Sequence, residues 1–212
     1  EHDISKCFAD AIGTEGVSWV TYDAMLTKSA DALAQVRAAH DDESLPLFRL
    51  PGRRDDIDVF RPVADRFRSS FDDVIVLGTG GSSLGGQTLN ALADRGFGPP
   101  KGTPRLRFMD NVDPDTFDAL FAALDLSKTG VLAISKSGST AETLSQLALI
   151  VEAMRSEMDE KAVGERIVAV TEPKDSLLTR IAERFGMERL DHDPKVGGRF
   201  SVLSVVGLLP AL

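Results

Sequence analysis

The chain has 212 residues, of which 42% are hydrophobic and 27% charged. That is ordinary globular composition, which excludes wholesale disorder, and no run approaches the roughly 20 apolar residues of a membrane-spanning helix. With 24 Lys and Arg against 33 Asp and Glu the net charge is −9, which repels nucleic acid and anionic membranes at long range, so neither is expected as a partner.

The same charge repels anionic metabolites, so a phosphate site must make its own local positive field. Cys7 is the only cysteine. No disulfide within the chain is possible, which fits a reducing compartment, and no neighbour of Cys7 would activate it as a nucleophile. The N-terminus shows no basic segment followed by an apolar stretch, so a cytoplasmic address is expected. The chain opens on Glu1 and closes on Leu212 inside an apolar run, so a piece of a longer protein is expected.

Residues 1–70 read as a helical segment that packs on a following sheet domain, residues 71–212. Met25, Leu26, Ser29, Leu33 and Val36 share one face at helical spacing, and Ile57, Phe60, Val63 and Phe67 share another. A Pro- and Gly-containing stretch, residues 45–53, separates the two. From Asp73 short apolar runs alternate with helical segments. Strands are predicted at 74–77, 106–109, 131–134, 167–170 and 187–190. Helices are predicted at 84–93, 114–124, 140–158, 176–185 and from Phe200 onward. Strands separated by single helices imply an α/β fold with a parallel sheet covered on both faces. The common order for such a sheet is 2-1-3-4-5.

The first strand runs into Gly78-Thr79-Gly80-Gly81-Ser82-Ser83-Leu84-Gly85, and the third into Ser135-Lys136-Ser137-Gly138-Ser139-Thr140. Both loops precede a helix. Glycines let the backbone approach a ligand, the helix N-terminus offers free N–H groups and partial positive charge, and the hydroxyls add donors. In the order 2-1-3-4-5 the two loops border one crevice at the switch point, where such sheets bind ligands. Lys136 brings a full charge. A nucleotide triphosphate site is disfavoured, because Gln87 stands where a Walker loop needs Lys. A dinucleotide fingerprint begins at Gly78-Thr79-Gly80 but has Ser83 at its third glycine. Asp110, which could imitate a ribose-binding acid, reads better as part of a turn or cap before Pro114.

These two blocks, followed by Val196-Gly197-Gly198-Arg199-Phe200-Ser201, resemble three ordered blocks of the glucose-6-phosphate isomerase family, over about residues 73–212. The first two blocks are typical of the wider sugar isomerase (SIS) fold, and the third is more specific. The resemblance implies a three-layer αβα sandwich with a five-stranded parallel sheet. It also implies interconversion of glucose 6-phosphate and fructose 6-phosphate through an enediol(ate), with no cofactor and no metal, by a homodimer when full length. Carried over, Gly81 and Ser82 lie beside the sugar phosphate, and Ser135, Lys136, Ser137 and Thr140 hold it. Gly198 and Gly197 let the backbone approach the sugar, and Arg199 stabilises the charge of the enediolate. The family's proton-transfer Glu, its ring-opening His and a further Lys lie downstream of the Arg199 block and have no match here. The 212 residues are therefore expected to bind sugar phosphate and to isomerise it poorly. Glu142, in a first helical turn, reads as structural, and His192 as an ordinary turn residue. A non-catalytic SIS module that senses sugar phosphates is the alternative.

Overall fold

The computed structural model describes residues 2–212. It divides into two compact units, the first ending at Phe48 and the second spanning Arg49–Leu212. The first holds a four-residue helix α1 (Ala9–Ile12) and the long helix α2 (Trp19–Asp41). Ser18 starts α2 by accepting the Thr21 N–H at 3.1 Å. Phe8 is buried, stacked on Trp19 with ring centroids 3.6 Å apart. The predicted stripe on α2 is helical, but Met25, Leu26, Leu33 and Val36 each stay about half exposed. Within its own unit only single turns and α1 accompany α2, too little structure to cover 23 residues of helix.

The second unit begins ahead of helix α3 (Ile57–Ser70), whose Phe60, Val63, Ala64 and Phe67 are buried. The α3 stripe thus joins the core of the sheet unit. Then follow β1 (Asp73–Leu77), α4 (Leu84–Asp94), β2 (Arg105–Met109), α5 (Pro114–Ala123) and β3 (Thr129–Ile134). The unit continues with α6 (Ala141–Arg155), α7 (Glu160–Arg166), β4 (Ile167–Thr171), α8 (Leu177–Phe185), β5 (Glu188–Asp191) and α9 (Val205–Ala211). The five strands are parallel in the order β2-β1-β3-β4-β5. This is the predicted α/β sandwich.

Side chains alternate across the sheet, as the two-residue period of a strand requires. Val74, Val76, Leu132, Ile134, Val168 and Val170 pack with α3 and α9 on one face. Ile75, Leu77, Val131, Ala133, Ile167 and Ala169 pack with α5, α6, α7 and α8 on the other. Burying each of the larger ones contributes about 1.5–3 kcal/mol over leaving it exposed. Two predicted helices are corrected. The helix expected at 140–158 stops at Arg155, and α7 follows separately, started by the Asp159 side chain accepting the Ala162 N–H at 2.8 Å. The helix expected from Phe200 begins at Val205, because Gly198–Phe200 forms a single 3-10 turn and Ser204 is the N-cap.

Candidate functional site

With β1 beside β3, the loops after both strands open on the carboxyl edge of the sheet. A cleft of about 480 Å³ lies there, lined by Gly81 and Ser82 after β1, Lys136, Ser137 and Thr140 after β3, and Gly198 and Arg199. Seven sequence-predicted residues therefore share one cleft. Ser135 does not line it. It is buried at the end of β3, with its Oγ 2.9 Å from Thr140 Oγ1, so it can orient that hydroxyl. Thr140 is the N-cap of α6 but its side chain makes no capping bond, which leaves the first-turn N–H groups without that partner.

Two glycines are required by geometry. Gly138 has φ +67°, and a Cβ there would lie 2.1 Å from Ser176 Oγ. Gly81 packs against the 3-10 turn of the third block: a Cβ on it would lie 2.2 Å from the Gly198 carbonyl oxygen. The two loops therefore meet backbone to backbone, which sets where Arg199 starts.

Lys136 is more engaged than the sequence suggests. Its Nζ donates to the carbonyl oxygens of Pro194 and Val196, both at 2.9 Å, and lies 3.5 Å from Glu172 Oε1. It braces the β3 loop against the strand of chain that leads into Gly197-Gly198-Arg199. Glu172 and Lys174, after β4, also line the cleft and were not anticipated; Thr79 of the first block and Phe200 of the third line it too, though neither was singled out. The signal for the β4 pair was available in the rule that ligands sit at strand carboxyl ends. The Glu172 side chain is only 12% exposed and is paired with both Lys174 and Lys136. The Lys174 hydrogen bond, followed by the charges of both lysines, holds its carboxyl below the usual glutamate range. Arg199 is exposed and makes no hydrogen bond or ion pair among the described residues. Three cations thus face one carboxylate, a local field opposite in sign to the whole chain, whose diffuse charge is screened beyond about 8–10 Å.

The other candidates lie elsewhere. Glu142 sits exposed in the first turn of α6 and outside the cleft lining. His192 is buried, with Nδ1 2.9 Å from the Asp193 carbonyl oxygen, and lines a neighbouring cavity of about 430 Å³. Burial pushes its pKa down, which keeps it neutral at pH 7. Asp110 accepts a hydrogen bond from Gln87 Nε2 at 3.2 Å, and Asp113 caps α5. Ser83 starts α4, yet its buried hydroxyl receives Gln87 Nε2 instead of capping the helix.

One prediction arises directly from Glu172. A depressed carboxyl pKa contributes stability that is present above the ordinary value of 4.5 and is lost as pH falls through the lowered folded value. Glu172→Gln is therefore expected to melt below wild type at pH 7, with the difference shrinking as the pH drops below 4.5. Thermal melts across that range check it, and a gap that widens in acid contradicts the pairing.

The family model described as phosphoglucose isomerase matches residues 65–212. A glucose-6-phosphate isomerase from Rubrobacter xylanophilus is 40% identical over 167 residues, which is 77% of this chain and 39% of the relative. One from Carboxydothermus hydrogenoformans is 33% identical over 99% of this chain and 46% of its own length. A solved structure of a hypothetical protein from Thermus thermophilus superimposes with a TM-score of 0.72 at 33% identity, covering 91% of this chain and 46% of that one. The chain spans less than half the length of these relatives.

Proposed function

The chain belongs to the phosphoglucose isomerase family, and on that footing we propose that it is the phosphate-binding part of an enzyme that interconverts glucose 6-phosphate and fructose 6-phosphate. The observation that carries the reading is the meeting of the three Gly-containing loops around one cleft, with hydroxyl donors on one side and Arg199, unpaired among the described residues, on the other. Ser82, Ser137 and Thr140 offer hydroxyls to the phosphate, beside the N-terminus of α6, while Ser135 fixes Thr140. Lys136 adds charge from its braced position. Charged and neutral donors together suit a dianion better than a neutral sugar.

Moving a proton between C2 and C1 places negative charge on a sugar oxygen in the enediolate. A guanidinium with no partner among the described residues can reach that charge without breaking another ion pair, and stabilises it as it develops. Glu172 is a poor choice for the proton-moving base. It is ionised, but two lysines lower its basicity, and a general base works best with a pKa near the operating pH. We infer that Glu172 is not the base, and since a positioned base supplies about 10²–10⁴-fold, the 212-residue chain is expected to turn over at least about 10²-fold more slowly than a full-length family member.

Calorimetric titration of the chain tests the reading. Fructose 6-phosphate and glucose 6-phosphate should bind, fructose and NAD should not, and Lys136→Ala should weaken binding of both phosphates. Binding of NAD in place of fructose 6-phosphate would abandon the isomerase reading for a dinucleotide enzyme.

A further inference from the structure

The cleft contains an anion of its own, and what that anion holds identifies a residue that the three sequence blocks do not contain. Lys136 has committed its ammonium group to two carbonyl oxygens and Glu172, so it cannot turn toward a ligand without releasing the chain before Gly197. Lys174 is less constrained. Its side chain is half exposed, it lines the same cleft as Ser137 and Thr140, and among the described residues its ion-pair partner is Glu172 alone. The backbone beneath it is fixed: Glu172 N–H donates to the Lys136 carbonyl at 3.1 Å, and Lys174 N–H to the Glu172 carbonyl at 2.8 Å. Only the four-carbon side chain of Lys174 is free to move, and its strongly hydrated point charge suits exchange between anions.

We propose that Lys174 is a phosphate-binding residue of this cleft, held by Glu172 while the cleft is empty and transferred to the phosphate when substrate enters. Glu172 is then a stand-in anion that keeps Lys174 at the mouth of the site. After the transfer Glu172 retains Lys136 as counter-ion, so its charge is never left unpaired in a mostly buried position. The exchange makes affinity depend on the difference between two ion pairs, and it favours a phosphate dianion, which offers more charge than one carboxylate. This inference rests on the cleft being the phosphate site.

The test is a double-mutant cycle on the 212-residue chain, read by calorimetry with inorganic phosphate and with fructose 6-phosphate. Lys174→Ala is expected to raise the Kd for both by about tenfold, as loss of one charged hydrogen bond does. Lys174→Arg should keep most of the affinity. Glu172→Gln should tighten binding severalfold despite lowering the melting temperature, and most of that gain should disappear when Lys174 is also Ala. A purely structural ion pair would move stability and leave the Kd alone. If wild type binds and Lys174→Ala binds equally well, Lys174 is a surface ion pair and the inference falls while the phosphate reading stands. If wild type binds neither probe, both fall.

Discussion

Arg199→Ala is expected to separate the two kinds of binding proposed for this cleft. Affinity for a hydroxamate analogue of the enediolate should fall by about 10²-fold, the loss seen when one oxyanion donor is removed. Affinity for fructose 6-phosphate should fall by less than about threefold. The reasoning is that a catalytic interaction is stronger with the transition state than with the ground state, and the analogue carries the charge that the ground state lacks. Arg199 has no partner among the described residues, so its removal orphans no carboxylate there and should leave the fold intact. Calorimetry with both ligands measures the split. Equal losses for the two would make Arg199 a general phosphate-attracting cation, with no special place at the reacting carbons.

Gly81→Ala should be the most damaging single methyl among the glycines that line the cleft. The added Cβ would meet the Gly198 carbonyl carbon at 2.5 Å and its oxygen at 2.2 Å. Both are backbone atoms, so no side chain can rotate away, and the loops must part by about an ångström. Overpacking of this kind costs about 1–3 kcal/mol, which in a chain of this size lowers the melting temperature by about 2–4 °C per kcal/mol. A displacement of that size between loops proposed to hold one ligand should also weaken sugar-phosphate binding. Gly52→Ala is the control, because a Cβ there meets nothing within 4 Å and the backbone is not left-handed. Melts and titrations of both variants check the contrast; equal behaviour would mean that the contact between the two loops does not organise the cleft.

The three inner strands were readable because parallel strands buried on both faces are continuous apolar runs. Val131–Ile134 and Ile167–Val170 have no other plausible assignment within so few residues. Helix boundaries were harder. Ser156-Glu157-Met158-Asp159 contains neither Gly nor Pro, so nothing but the capping propensity of Asp159 marked the break between α6 and α7. For the site, Gly and hydroxyl residues at strand ends carry their own local signal, and those loops were found. Thr171-Glu172-Pro173-Lys174-Asp175 carries the opposite signal: in isolation it is a polar turn. Its importance comes from β4 standing next to β3, which places Glu172 against Lys136. The partners of Lys136 were still less accessible to sequence reasoning, since backbone carbonyls can belong to any residue.

The brace made by Lys136 spans 58 residues to Pro194 and 60 to Val196. A nascent chain that has already paired β1 with β3 still lacks a closed cleft until residue 196 has arrived and docked. Closing so long a loop carries an entropic cost that only the finished contacts offset. A ligand seated between the three loops binds only the fully assembled state, so saturating phosphate at about 100 times its Kd should add about 2.7 kcal/mol against every opening that separates them. Amide exchange should report this as shared protection: the N–H groups of the β3 loop and those of residues 196–201 slowing together on ligand addition, as one cooperative unit formed from distant parts of the chain.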